Sequence, residues 1–258
     1  MPEGHTLHRL ARDMQELVGY PLQAASPQGR FAAGASAISG EECIGVEAFG
    51  KHLFIDFVND TSVHVHLGMR GKFLRFAPLT GAPLPQVRLR LNVDDLAWDL
   101  IAPSVCEQVT ADRRAELIAS LGPDPLRDDA DPAEAIRRIR SFKGSIAAAL
   151  LEQSVISGVG NVFRAEALHA CAIAPFRPSS DISETDLKAL WIVLQDMMSQ
   201  AVDDGRIVTV TGPDRLSLPE AETRRVYKQE RCRDCGTAVD AVDIQGRTSY
   251  SCPLCQPA

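Results

Sequence analysis

Two groups of residues in this chain combine types and spacings that chemistry can use. The first is the opening run Pro2-Glu3-Gly4-His5-Thr6. If the initiator Met1 is removed, as is usual before a small residue such as proline, the chain begins with a secondary amine. Such an amine attacks an aldehyde-like carbon to give an iminium ion that holds its positive charge without a proton, an electron sink for elimination. Glu3 supplies a carboxylate able to move protons at whatever the amine attacks. Its other reading is a first-turn acid that favours a helix dipole. The second group is Cys232-x2-Cys235 and Cys252-x2-Cys255, separated by 16 residues. Two thiolate pairs on two turns can be brought by a short hairpin into a tetrahedron around one structural Zn2+ at ~2.3 Å. The remaining Cys43, Cys106 and Cys171 stand among apolar neighbours and read as ordinary buried thiols.

These residues need elements to position them. Leu7, Leu10, Ala11, Met14, Leu17 and Val18 follow helical spacing until Gly19, which predicts a helix beginning near Thr6. Its positive end faces the terminal amine and keeps more of it unprotonated than the α-amino reference of ~7.7 to 8.0 implies. Short extended runs follow at 53–58, at 63–67 with His64 and His66 alternating against apolar neighbours, and at 87–93 with Arg88, Arg90 and Asn92 doing the same. His64 and His66 read as surface or groove residues. The first ~115 residues thus predict one helix on a largely antiparallel β domain. Gly122, Pro123, Pro125 and Pro132 among acids give 121–132 the composition of an interdomain linker. Helices are expected over 136–153 and 185–202, the latter with Leu187, Leu190, Trp191, Leu194 and Met197 on one face. The tail reads as a zinc ribbon.

Composition narrows the classes. The 258 residues are 45% hydrophobic and 24% charged, which excludes wholesale disorder, collagen-like repeats and a coiled coil. No run approaches the ~20 apolar residues of a membrane span and no apolar leader opens the chain, so the expected compartment is the cytoplasm. A net charge of −7 means that a global positive field cannot draw the protein to a polyanion; such binding must be local. Two basic runs, Arg137, Arg138, Arg140 and Lys143, then Arg224, Arg225, Lys228, Arg231 and Arg233, could serve it or could be solvated helix faces.

Five motifs occur in order: Pro2-Glu3-Gly4; Gly50-Lys51-His52-Leu53; His66-Leu67-Gly68-Met69-Arg70-Gly71; Ser157-Gly158-Val159-Gly160-Asn161 with Arg164-Ala165-Glu166; and a terminal four-cysteine finger containing Gly246-Arg247. Together they resemble the formamidopyrimidine-DNA glycosylase and endonuclease VIII family, with the actinobacterial endonuclease VIII-like branch the closer match. The resemblance runs from Pro2 to Cys255. It implies an α+β protein in four parts: a catalytic β-sandwich with a packed helix over 1–120, a linker over 121–134, a helix-two-turn-helix DNA-binding domain over 135–222 and a zinc finger over 223–258.

The resemblance also assigns roles. Pro2 would attack C1′ of a damaged nucleotide, and Glu3 would act as general acid on the sugar ring oxygen. Lys51 and Arg247 would contact the lesion or its phosphates and belong to the catalytic set. Asn161 would grip the damaged strand, although an asparagine there also reads as a helix N-cap. Met69 would fill the gap left by an extruded base, and Arg70 would lie beside it on the DNA. The chain departs from the family pattern at two positions. Arg70 stands where endonuclease VIII members often carry an aromatic residue, and Thr6 where many have a second glutamate. The implied substrate is double-stranded DNA with damaged bases or abasic sites, acted on by a cytoplasmic, nucleoid-associated monomer. Oxidised pyrimidines are the expected lesions. An 8-oxoguanine or formamidopyrimidine enzyme is the alternative within the family, and a non-catalytic zinc-ribbon nucleic-acid-binding protein the alternative outside it.

Overall fold

The computed structural model describes residues 2–257, so the expected removal of Met1 concerns a residue outside the described ones. The elements in chain order are α1 (Gly4–Asp13), continued by a 3-10 turn (Met14–Leu17), β1 (Gln23–Ala25), α2 (Ala32–Ile38), β2 (Cys43–Phe49), β3 (His52–Phe57), β4 (Thr61–His66), β5 (Lys72–Phe76), β6 (Val87–Val93), β7 (Leu96–Ile101) and β8 (Val105–Thr110). There follow α3 (Ala111–Ala119), α4 (Pro132–Ser141), α5 (Ile146–Ala149), α6 (Asn161–Ala170), α7 (Glu184–Asp204), β9 (Asp240–Ile244) and β10 (Arg247–Ser251). The chain divides into two units, one holding Pro2 and Leu7–Ser120, the other Glu3–Thr6 and the residues from Leu121 onward.

In the first unit two four-stranded antiparallel sheets, ordered β1-β6-β7-β5 and β2-β3-β4-β8, face each other. Alternation sends Leu53, Ile55, Val63 and Val65 of one sheet and Leu89, Leu91, Trp98 and Leu100 of the other into a shared core. Leu7, Ala11 and Met14, one helical turn apart, add one stripe of α1 to it. The helix starts earlier than its apolar spacing predicts, at Gly4.

In the second unit α4 to α7 enclose a core that includes Ile139, Ile146, Phe163, Leu168, Leu190 and Leu194. The single helix expected over 136–153 is two, α4 and α5. Phe142 leaves helical conformation at ψ 128°, and Ser145 caps α5 by accepting from the Ala148 amide. The proline-rich stretch from Leu121 is packed rather than free. The Gly122 amide donates to Gln153 O at 2.8 Å and the Ser157 amide to Pro123 O at 3.0 Å, and Asp124 is buried. Among the described residues no helix is long and apolar enough to cross a membrane.

Candidate active site

Glu3 is fully buried, and its carboxylate sits at the amino end of α6. Oε1 accepts from the Val162 amide at 2.9 Å, and Oε2 accepts from Gly160 at 3.0 Å and Phe163 at 3.4 Å. A helix leaves its first amides without intrahelical acceptors, and the dipole there favours an anion. The dipole reading of the sequence concerned the helix that Glu3 opens; the carboxylate instead accepts from the first turn of α6, 157 residues away. Gly160 permits the approach, because a Cβ there would lie 2.3 Å from Glu3 Cδ. Gly4 is equally constrained. Its amide donates to Gly158 O at 2.8 Å, and a Cβ on it would lie 2.8 Å from Gly158 Cα. The first turn is thereby fastened, with the Thr6 amide donating to Glu3 O at 2.9 Å and Thr6 Oγ1 3.3 Å from His5 Nε2. Pro2 precedes this anchor and is half-buried.

Asn161 is the first residue of α6 and not its cap; Gly160 holds the cap position. Asn161 Nδ2 donates to Thr248 O at 3.0 Å, and the fully buried Arg164 donates to that same carbonyl at 3.0 Å and to Asn161 Oδ1. Burial, then the neighbouring Arg247, brings the Arg164 guanidinium down to about 10. Arg247 itself is exposed at the start of β10. It follows Gln245 and Gly246, whose φ of 53° and 76° are those of a tight hairpin turn. Asn161 and Arg164 therefore clamp the strand that carries Arg247. Arg164 had no predicted role, although it lies within one of the motifs.

In the first unit Lys51 occupies the β2–β3 turn, between the paired residues Phe49 and His52, after Gly50 at φ 57°. Met69 and Arg70 lie on the turn after β4, both exposed, Met69 at 77%. An apolar side chain that open is not the core methionine that composition makes the default. Gly68 at the root of this turn donates its amide to His66 Nδ1 at 3.1 Å. His64 departs from the expectation of a surface or groove residue: it is 3% exposed, held between His52 and Glu107.

The four cysteines meet. Their sulfur atoms all lie within 4.8 Å of one another, Cys232 to Cys255 at 4.0 Å and Cys235 to Cys252 at 3.4 Å. A tetrahedron of ~2.3 Å bonds separates its sulfurs by about 3.8 Å, so the set fits one metal ion. Hydrogen bonds from Thr237 bring the Cys235 thiol down to about 6, whereas burial pushes Cys232 and Cys255 up. Asp234, between the ligands, accepts from His169 Nε2 at 2.8 Å and from Arg225 at 3.2 Å. Away from the cluster, burial pushes the Cys43 and Cys171 thiols up to about 11 and Cys106 to about 12. Cys43 is buried and the other two half-buried.

The basic runs are partly committed within the fold. Arg137 and Arg138 pair with Glu134 one turn earlier, an acid just outside the run. Arg224 is buried against Glu220 and Ile207 O, and Arg225 reaches Thr209 O and Asp234. Glu166, fully buried, explains the local fold there. It accepts from the amides of Arg225, Val226 and Tyr227 at 2.7–2.9 Å and from the Thr209 hydroxyl.

Residues 1–102 match the formamidopyrimidine-DNA glycosylase N-terminal domain, and residues 121–211 the formamidopyrimidine-DNA glycosylase H2TH domain. Over 267 aligned residues, 99% of this chain and 100% of the relative, the sequence is 42% identical to Endonuclease 8 1 of Mycobacterium tuberculosis. The chain belongs to the formamidopyrimidine-DNA glycosylase and endonuclease VIII family. A formamidopyrimidine-DNA glycosylase of Corynebacterium urealyticum is 28% identical over 93% of this chain and 90% of its own length. The fold is that of the Lactococcus lactis Fpg. Its complex with DNA containing an abasic site aligns at a TM-score of 0.80 over 99% of this chain and 100% of that one, at 22% identity. Its complex with DNA containing N7-benzyl-Fapy-dG aligns at 0.80 over 100% of both chains, also at 22%. Membership leaves the zinc-ribbon protein without catalytic activity behind, since the family is one of DNA repair glycosylases.

Proposed function

We propose that the protein is a bifunctional DNA glycosylase and abasic-site lyase that acts through the imino nitrogen of Pro2. The nitrogen lone pair attacks C1′ of an extruded nucleotide, the N-glycosidic bond breaks and the base leaves with its electrons. The Glu3 carboxylate takes the N–H proton that the attacking nitrogen sheds and passes it to the ring oxygen as the sugar opens, leaving an iminium between Pro2 and C1′. Loss of a C2′ proton then expels the 3′ phosphate oxygen and cuts the strand. The observation that carries this reading is the cradle of three amides around the Glu3 carboxylate, one residue from Pro2. Lys51 and Arg247 supply positive charge to the lesion strand and its phosphates, Asn161 helps hold that strand, and Met69 with Arg70 occupies the space of the extruded base. The four cysteines hold one Zn2+, which when bound stabilises the finger that presents Arg247; four thiolates leave it no open position for water. The partner is double-stranded DNA with damaged bases or abasic sites, met by a monomer in the cytoplasm.

The proposed lesions are oxidised pyrimidines, supported by the greater identity to an endonuclease 8 than to the formamidopyrimidine-DNA glycosylases. Duplexes carrying one lesion each, incubated with wild type, Pro2→Gly and a form that keeps Met1, test both levels. Wild type is expected to release oxidised pyrimidines and nick the strand, and both altered forms to lose nicking. Release of 8-oxoguanine alone would move the substrate to the other branch. Nicking by all three forms would remove Pro2 from the mechanism.

A further inference from the structure

His169, in the last turn of α6, is a polar ring in a place that packing alone would give to an apolar one. It is buried and lies one turn beyond Ala165, which packs with Cys232 and Cys252 in a small core of the finger. Its Nδ1 is buried with no partner among the described residues, a cost that a phenyl ring of similar outline does not carry. The compensation is at Nε2, which lies 2.8 Å from Asp234 Oδ2 and 3.8 Å from Cys232 Sγ. The Cys232 and Cys255 sulfurs are 4.0 Å apart, so this nitrogen stands as near to the Cys232 sulfur as a fellow ligand does.

The hydrogen on Nε2 faces two acceptors. Burial opposes the charge on Asp234, but the hydrogen bond from His169 and the Arg225 charge outweigh it and hold the carboxyl below its ordinary value. A cysteine that ligates a metal is a thiolate with no hydrogen to give. His169 Nε2 is therefore the donor, however the ring is charged. Asp234 sits between Cys232 and Cys235, so a bond to it from α6 fixes the turn that carries both sulfurs. The turn that carries Cys252 and Cys255 is moored to the same end of α6. Gln256 Oε1 accepts from the Cys252 amide at 3.0 Å, and Gln256 Nε2 donates to Ile173 O at 2.8 Å. His169 is the mooring that also faces a sulfur.

We propose that His169 and Asp234 form a clasp from α6 to the Cys232–Cys235 turn that keeps the Cys232 sulfur in its ligating position and so sets how long the cluster retains its metal ion. Both are positioning residues that act through Cys232. This rests on the reading that the four cysteines hold a metal ion, and is independent of the lyase reading.

The test measures, on the full chain, bound metal, the rate at which a chelator withdraws Zn2+, and the cadmium NMR resonance of the cadmium-loaded protein. It compares wild type with His169→Phe, His169→Gln, Asp234→Ala and the double variant His169→Phe/Asp234→Ala. Wild type is expected to purify with metal bound; a wild type that holds none contradicts the metal reading and the clasp with it. His169→Phe, which keeps the outline of the ring and loses the donor, is expected to release Zn2+ about tenfold faster and to shift the cadmium resonance. His169→Gln, which keeps an N–H near the place of Nε2, restores most of both. Asp234→Ala, at an exposed position, speeds release to a similar extent, and the double variant is no faster than either single one, because the two residues act as one device. With metal bound in wild type, release from His169→Phe at the wild-type rate, a His169→Gln variant as leaky as His169→Phe, or factors that multiply in the double variant would each overturn the clasp and leave the metal reading standing.

Discussion

The two units bury charge in different ways. In the sheet unit, side chain meets side chain: the buried Arg90 of β6 forks onto Asp99 of β7 at 2.6 and 2.7 Å, and the half-buried Arg114 of α3 forks onto Asp56 of β3 at 3.1 Å. In the helical unit, Glu3 and Glu166 each hold three consecutive or nearly consecutive backbone amides. Each architecture offers what its backbone leaves over. Strand amides are spent in the ladders, so a buried charge in a sheet must find another side chain. Helix starts and irregular loops keep amides to spare, and a carboxylate there fastens main chain while its own position is fixed. That second device orients Glu3.

The contrast can be broken by substitution. Asp99→Ala leaves the Arg90 guanidinium buried and unpaired, and is expected to cost about 3–5 kcal/mol in denaturant unfolding. Replacing both partners by apolar residues of similar size should cost much less than the two single losses combined. Glu166→Gln keeps one acceptor but turns an NH2 toward amide donors, for an expected loss of about 1–3 kcal/mol. Hydrogen exchange should quicken first at the amides of residues 225–227, with the sheet unit unchanged. If Glu166→Gln loosened the molecule everywhere at once, the amide cradles would be no more local than the strand pairs.

What could be read in the sequence follows the same division. Period-two alternation reproduces β6 over Val87–Val93 and places β4 to within two residues, and the extended run at 53–58 places β3 to within one, because one face of each strand enters the core and the pattern records it. Cysteine spacing finds the four-cysteine cluster, because a tetrahedron of thiolates imposes a local constraint. The break between α4 and α5 is missed because apolar spacing continues across it, whereas the interruption is written only in Gly144 and the capping Ser145. The burial of His64 is missed because alternation separates faces without saying which face a later helix covers; α3 covers this one through Arg114. The acceptor role of Glu3 on α6 was not legible at all, since its amides lie 157 to 160 residues away. Gly160, which admits it, reads in the sequence as a glycine for close backbone approach to a phosphate, and the group that approaches is Glu3. Arg224 and Arg225 look like phosphate ligands by composition, yet Glu220, Thr209 and Asp234 already engage them.

The central claim is where the covalent bond forms. Borohydride reduction of the protein on an oligonucleotide with one abasic site, followed by proteolysis and mass spectrometry of the cross-linked peptide, locates it. The account predicts the sugar on the imino nitrogen of a peptide that begins at Pro2. A sugar carried by Lys51 or another lysine, or a wild-type protein that forms no cross-link, contradicts it.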